Sequence, residues 1–135
     1  MQNIMEKELN IKEYNIKTLA YVGDAVYELY IREYLVKNST ETANVLYRKS
    51  LKYVSAKAQE YIMSKIYDVL TEEEKAVYKR GRNANSNTVP KNTDIVTYKK
   101  ATGFECIVGY LYLTKQKRRL DDLMRESIRS AGERI

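Results

Sequence analysis

Residues 21–31 read YVGDAVYELYI, and residues 101–113 read ATGFECIVGYLYL. Each run is apolar enough for a buried helix, and each is interrupted by an acid, Asp24 in the first and Glu105 in the second. Taking an ionised carboxylate out of water costs on the order of several kcal/mol unless a partner or a cation compensates. Two such positions, in a chain of 135 residues with no histidine and one cysteine, point to carboxylate ligation of a hard cation. The bland alternative for Asp24 is a pairing with a distant lysine or tyrosine.

Around these runs, the rest of the chain also reads as helix. From Thr18 to Val36, apolar residues Leu19, Val22, Val26, Leu29, Tyr30 and Ile31 recur at helical spacing. A second pattern, Thr42 to Leu70, uses Val45, Leu46, Leu51, Val54, Ile62 and Ile66. Thr71 followed by Glu74 has the form of a capping box, opening a short helix to about Arg80. A turn-like segment, GRNANSNTVPKNTD, holds the only proline and four asparagines, at 83, 85, 87 and 92. A helix over Val96–Leu113 and an amphipathic one over Gln116–Ser130 complete an all-α bundle of five to seven helices, read as a single domain over 1–135.

Composition narrows the chemistry. Without histidine, Ser-His-Asp and Cys-His catalysis and ordinary zinc sites are excluded. Cys106 sits inside an apolar run and reads as a packed thiol in a reducing cytoplasm. Lys plus Arg exceed Asp plus Glu by 24 to 18. That surplus suits a polyanionic partner, or serves only solubility. The N-terminal MQNIMEKELN has no signal-like apolar stretch, and no window approaches a membrane span. The expected location is the cytoplasm.

Glycines mark how the two acids would meet. Gly23 adjoins Asp24, and Gly103 and Gly109 flank Glu105. A helix-interior glycine costs roughly 0.5–1 kcal/mol relative to alanine, so a close helix crossing is the expected reason for it. If the crossing brings both acids together, they must share a proton or bind Mg²⁺ or Mn²⁺. Glu28 and Arg32, one turn further on, read as a solvated pair.

These motifs resemble a known family. TLAYVGDAVYEL is similar to the signature helix of the ribonuclease III catalytic domain, whose L-G-D-A core carries a metal-binding aspartate. TGFECIVGYLYL is similar to that domain's final signature, which carries a metal-binding glutamate. The intervening KRGRNANSNTVPKNT resembles Mini-ribonuclease III proteins, the short members without an appended double-stranded-RNA-binding domain. The resemblance implies a ribonuclease III-like helical bundle, with Asp24 and Glu105 as catalytic and metal-binding residues using Mg²⁺ or Mn²⁺. Full-length members add an acid four residues before the aspartate and another three before the glutamate. Here those positions are Ala20 and Thr102, as in the short members, so one firmly held cation is expected, or a second recruited with RNA.

The resemblance further implies a homodimer that cuts both strands of double-stranded RNA, leaving 5′-phosphate and 3′-hydroxyl ends. Its implied substrate is precursor large-subunit (23S) ribosomal RNA, with room for a ribosomal-protein helper. Lys79, Arg80, Arg82, Asn83, Lys91 and Asn92 are the candidate RNA-binding residues. They offer charge and amides without aromatic platforms, which suits phosphates and 2′-hydroxyls rather than stacked single strands. Arg48, Lys49, Lys52 and Lys57 extend that footprint or form a solvated helix face, and Lys99 and Lys100 precede the Glu105 helix. Two rival readings stand beside the enzyme: a non-catalytic module binding structured RNA in ribosome assembly, and a helical protein-interaction domain.

Overall fold

The computed structural model describes residues 14–85 and 88–135. The N-terminal stretch read above and Asn87 lie outside the described residues. Six α-helices follow in order: α1 (Ile16–Lys37), α2 (Ala43–Val54), α3 (Ala56–Ile66), α4 (Glu72–Asn83), α5 (Ile95–Leu113) and α6 (Lys117–Arg134). A 3-10 turn, Tyr67–Val69, closes α3. Among the described residues there is no strand, and no helix is long and apolar enough to cross a membrane.

α5 is the axis of the bundle and touches α1, α3, α4 and α6. Phe104, Ile107, Val108 and Leu111 on it are fully buried. Each such side chain contributes about 1.5–3 kcal/mol of transfer free energy. Phe104 meets Tyr27 of α1 edge-on at 5.0 Å between ring centroids. The Tyr27 hydroxyl, also buried, donates to the Tyr53 carbonyl at 2.8 Å, tying α1 and α5 to the end of α2.

Boundaries differ from the sequence expectation at several points: α6 runs past Ser130 to Arg134, and two further differences have visible causes. The single pattern over 42–70 is broken at Ser55, which is extended (φ −63°, ψ 156°) and both ends α2 and caps α3. Its hydroxyl accepts from the Ala58 amide at 3.2 Å. A serine oxygen that competes for a backbone amide favours such a break, while the apolar spacing on either side is hardly disturbed. α4 instead runs past Arg80 to Asn83. Gly81 explains the extension: a Cβ there would stand 2.6 Å from the Cys106 sulfur and 3.0 Å from the Gly103 Cα. The bare backbone lets the last turn of α4 lie directly on α5.

The expected capping box is present. Thr71 Oγ1 accepts from the Glu74 amide, and the Glu74 carboxylate accepts from the Thr71 amide. The same buried carboxylate receives Arg119 of α6 through two hydrogen bonds, at 2.7 and 2.8 Å. Arg119 also reaches the Val69 carbonyl. One acid thus starts α4 and fastens α6.

Candidate active site

The crossing of α1 and α5 is made by glycines. A Cβ added at Gly23 would collide with the Glu105 carbonyl, and one at Gly109 would collide with the carbonyl of Leu19. The two backbones therefore touch, with Asp24 following Gly23 on one side and Glu105 carried by the facing turn. Gly103 belongs to the other crossing, where it faces Tyr78 of α4.

The carboxyls meet at this crossing, but their surroundings are unequal. Glu105 is half-buried, as expected for an inward acid. Asp24 is exposed, which corrects its expected burial. The reason lies in its neighbours: Tyr21, Ala25 and Leu29 also face solvent, Tyr21 at 82% and Leu29 at 64% exposure. α1 is apolar on two faces, one packed on α5 through Leu19, Tyr27 and Ile31 and one open to solvent. Periodicity detects both faces and cannot tell which one meets water.

Burial first, then the Asp24 charge and a hydrogen bond with Asp24, together push the Glu105 carboxyl up to about 8. The Gln59 side chain works in the opposite direction. Near neutrality the net effect favours the protonated form of the Glu105 carboxyl. The buried Gln59 amide oxygen has no hydrogen-bonding partner. Two carboxylates form an all-oxygen donor set, which fits a hard divalent cation rather than a soft one. Among the described residues, no third His, Cys, Asp or Glu joins them. Ala20 is buried, and the Thr102 hydroxyl donates to the Tyr98 carbonyl of its own helix at 3.0 Å.

Sequence reasoning passed over Gln59. The available signal was a polar residue in the buried stripe of α3, alongside Ala58, Ile62, Met63 and Ile66. The thiol of Cys106 is buried and pushed up to about 12, mainly by desolvation, as expected for a packing residue.

The candidate RNA-binding residues divide between a helix and a turn. Lys79, Arg80, Arg82 and Asn83 ride on the last turns of α4, while Lys91 and Asn92 lie in the turn before α5. All are exposed except Arg82, which is half-buried with its guanidinium 5.5 Å from the Tyr78 ring centroid. Asn92 adopts a left-handed φ of 70°, a conformation asparagine tolerates well. Lys99 and Lys100 lie on α5 itself rather than before the Glu105 helix; Lys100 is paired with Glu60 at 3.7 Å, and Lys49 with Glu41, whereas Arg48, Lys52 and Lys57 are exposed.

The ribonuclease III domain model matches residues 17–116, which include both carboxyls and the basic end of α4. This chain belongs to the ribonuclease III family. It is 53% identical to the Mini-ribonuclease 3 of Enterococcus faecalis, over 90% of this chain and 94% of that relative. It is 44% identical to the Mini-ribonuclease 3 of Staphylococcus aureus, over 96% and 98% respectively. An X-ray structure of a protein from Fusobacterium nucleatum superposes with a TM-score of 0.80 at 34% identity, covering 88% of this chain and 95% of that one. Membership makes the chain an endoribonuclease of a family that acts on double-stranded RNA and depends on divalent metal. The expected all-α ribonuclease III-like bundle is the fold observed.

Proposed function

We propose that this protein is a Mg²⁺-dependent endoribonuclease whose cation is held by Asp24 and Glu105, with Mn²⁺ able to substitute. The observation that carries the reading is the Asp24–Glu105 pair itself, two acids set beside each other where Gly23 lets α1 touch α5. When bound, the cation supplies a Lewis acid that activates water and offsets charge on the scissile phosphate. Glu105 gives up its proton to take up that role, and the burial that raised its pKa shields it from bulk water. Asp24, exposed beside it, faces the side from which RNA approaches. Lys79, Arg80, Arg82, Asn83, Lys91 and Asn92 hold the phosphates and 2′-hydroxyls of the duplex, and cleavage leaves 5′-phosphate and 3′-hydroxyl ends.

The proposed substrate is precursor large-subunit (23S) ribosomal RNA in the cytoplasm, with a ribosomal protein as helper. Residues 1–135 act as one catalytic domain. The proposed assembly is a homodimer, each copy cutting one strand. Its support is the open apolar face of α1, where Tyr21, Ala25 and Leu29 line a groove with Tyr112 of α5. A two-fold pair also matches the pseudo-symmetry of a duplex.

The test is Asp24→Asn, which keeps size and removes the charged ligand. Cleavage of a long RNA duplex in Mg²⁺ should collapse while the helical fold persists. A folded variant with full activity would end the reading.

A further inference from the structure

Arg82 differs from the other cations at the end of α4. Lys79 and Arg80 stand in solvent, whereas Arg82 is half-buried, its guanidinium 5.5 Å from the centroid of the Tyr78 ring one turn earlier. At that distance an arginine is attracted to an aromatic face. Its Nε donates to the neutral Asn83 side chain at 3.3 Å. Among the described residues, no carboxylate pairs with it. The charge is held in place but left uncompensated. The ring that holds it is itself fixed. Tyr78 is 5% exposed and meets Tyr67 edge-on, at 6.0 Å between ring centroids. It also fills the space beside Gly103 of α5, where a Cβ would stand 2.6 Å from the ring. Gly103 lies two residues before Glu105. A backbone contact on the Glu105 helix thus sets the ring, and the ring sets the guanidinium.

We propose that Tyr78 is a positioning residue for duplex RNA: its ring, seated on Gly103, holds the Arg82 guanidinium ready for a backbone phosphate. The inference rests on the RNA-binding reading of the α4 end. An arginine free in solvent gives up rotamer freedom when it clamps a phosphate, and one already laid on a ring gives up less. A planar guanidinium can rest its face on a ring and still present N–H donors along its edge, so the ring and a phosphate need not compete for it.

The experiment measures binding of a long RNA duplex in EDTA, which withholds the cation and so prevents cleavage. It compares wild type, Tyr78→Leu, Tyr78→Phe, Arg82→Ala and the Tyr78→Leu/Arg82→Ala double variant, with melting temperatures alongside. Tyr78→Leu removes the ring and should weaken binding about fivefold, the scale of ordering one long side chain. Tyr78→Phe keeps the ring and should bind as wild type does. In the Arg82→Ala background, Tyr78→Leu should bring no further loss, because the ring then has nothing to hold. Losses that simply add would mean that the ring serves only the packing of α4, and would overturn the proposal. Unchanged binding in Tyr78→Leu would overturn it too. In Mg²⁺, Tyr78→Leu should raise KM and leave kcat near the wild-type value; the reverse split counts against the proposal. If the leucine variant fails to fold, the wild-type protein decides by ¹⁵N relaxation. The Arg82 Nε–H should be ordered before RNA is added and the Arg80 Nε–H mobile, and equal mobility overturns the proposal. Arg82→Ala separates the two levels: if it weakens binding and Tyr78→Leu does not, only the role of Tyr78 falls. If Arg82→Ala leaves binding unchanged, the RNA contact at Arg82 is itself misplaced.

Discussion

Gly23 of α1 and Glu105 of α5 lie in backbone contact, with no room for a methyl group between them. The separation of the two helices at the site is set by peptide planes. Gly23→Ala should therefore force the helices apart. Overpacking of a tight core typically costs about 1–3 kcal/mol, and contact with backbone puts this case at the upper end. Thermal unfolding should show the loss, and duplex cleavage should fall further than stability does, because the carboxyls separate.

Removing the Asp24 charge should also be visible at Glu105. In Asp24→Asn the Glu105 carboxyl loses a raising influence, though burial remains. Its titration, followed by NMR of the side-chain carboxyl carbon, should shift down from about 8 and stay above 4.5. An unmoved titration would mean that the two carboxyls are not neighbours.

The raised Glu105 carboxyl sets a pH dependence with a definite sign. A group whose pKa rises from 4.5 to about 8 on folding holds its proton more tightly in the folded state. Its contribution to stability is complete below 4.5 and lost as pH climbs to about 8. Metal-free protein in EDTA should melt progressively lower across that window, and Glu105→Gln should flatten the trend. Mg²⁺ should reverse it, since a cation displaces the proton, and Mn²⁺ binding at pH 7 should release a proton detectable by calorimetry in two buffers.

Glu74 behaves oppositely. Burial pushes its carboxyl up, but the Arg119 guanidinium and the Thr71 amide outweigh burial and leave it below the usual value. Stability from this group is present above the ordinary carboxylate range and is lost as pH falls through the depressed value. Arg119→Met strands the buried carboxylate. Breaking a buried pair costs about 3–5 kcal/mol, and partial exposure of Arg119 places this one near 2–3 kcal/mol. Urea unfolding at pH 7 measures it, and the deficit should shrink in acid.

Charge reversal at Arg80 and Lys79 should weaken duplex binding and flatten its salt dependence, because each lost phosphate contact lowers the slope by about 0.9 or less. Binding isotherms across a salt series check this. An unchanged slope would clear the end of α4 of any contact with RNA.

The features most legible in the sequence were those tied to local chemistry. The Thr71–Glu74 capping box and the Gly23 and Gly109 contacts each have a backbone reason, and each was found in place, whereas Gly103 serves the packing of α4 instead. Asp24 was misread as buried because an apolar face awaiting a partner has the same periodicity as one facing the core. The ends of α2 and α4 were misjudged because Ser55 and Gly81 act through single contacts, one to an amide and one to a neighbouring helix. Gln59 was missed altogether: its partner, the Val54 carbonyl, is free only once the helix break exists.

The glycine crossing has one more consequence, for how the sequence can drift. Residues such as Ile107, Leu111 and Ile31 can exchange for others of similar bulk, and the bundle will adjust around them. The spacing between the carboxyls does not pass through those side chains, so neutral turnover in the core leaves it unchanged. Core and chemistry are decoupled at this contact. The freedom to vary that the core enjoys is withheld from Gly23 and Gly109, where even alanine would intrude.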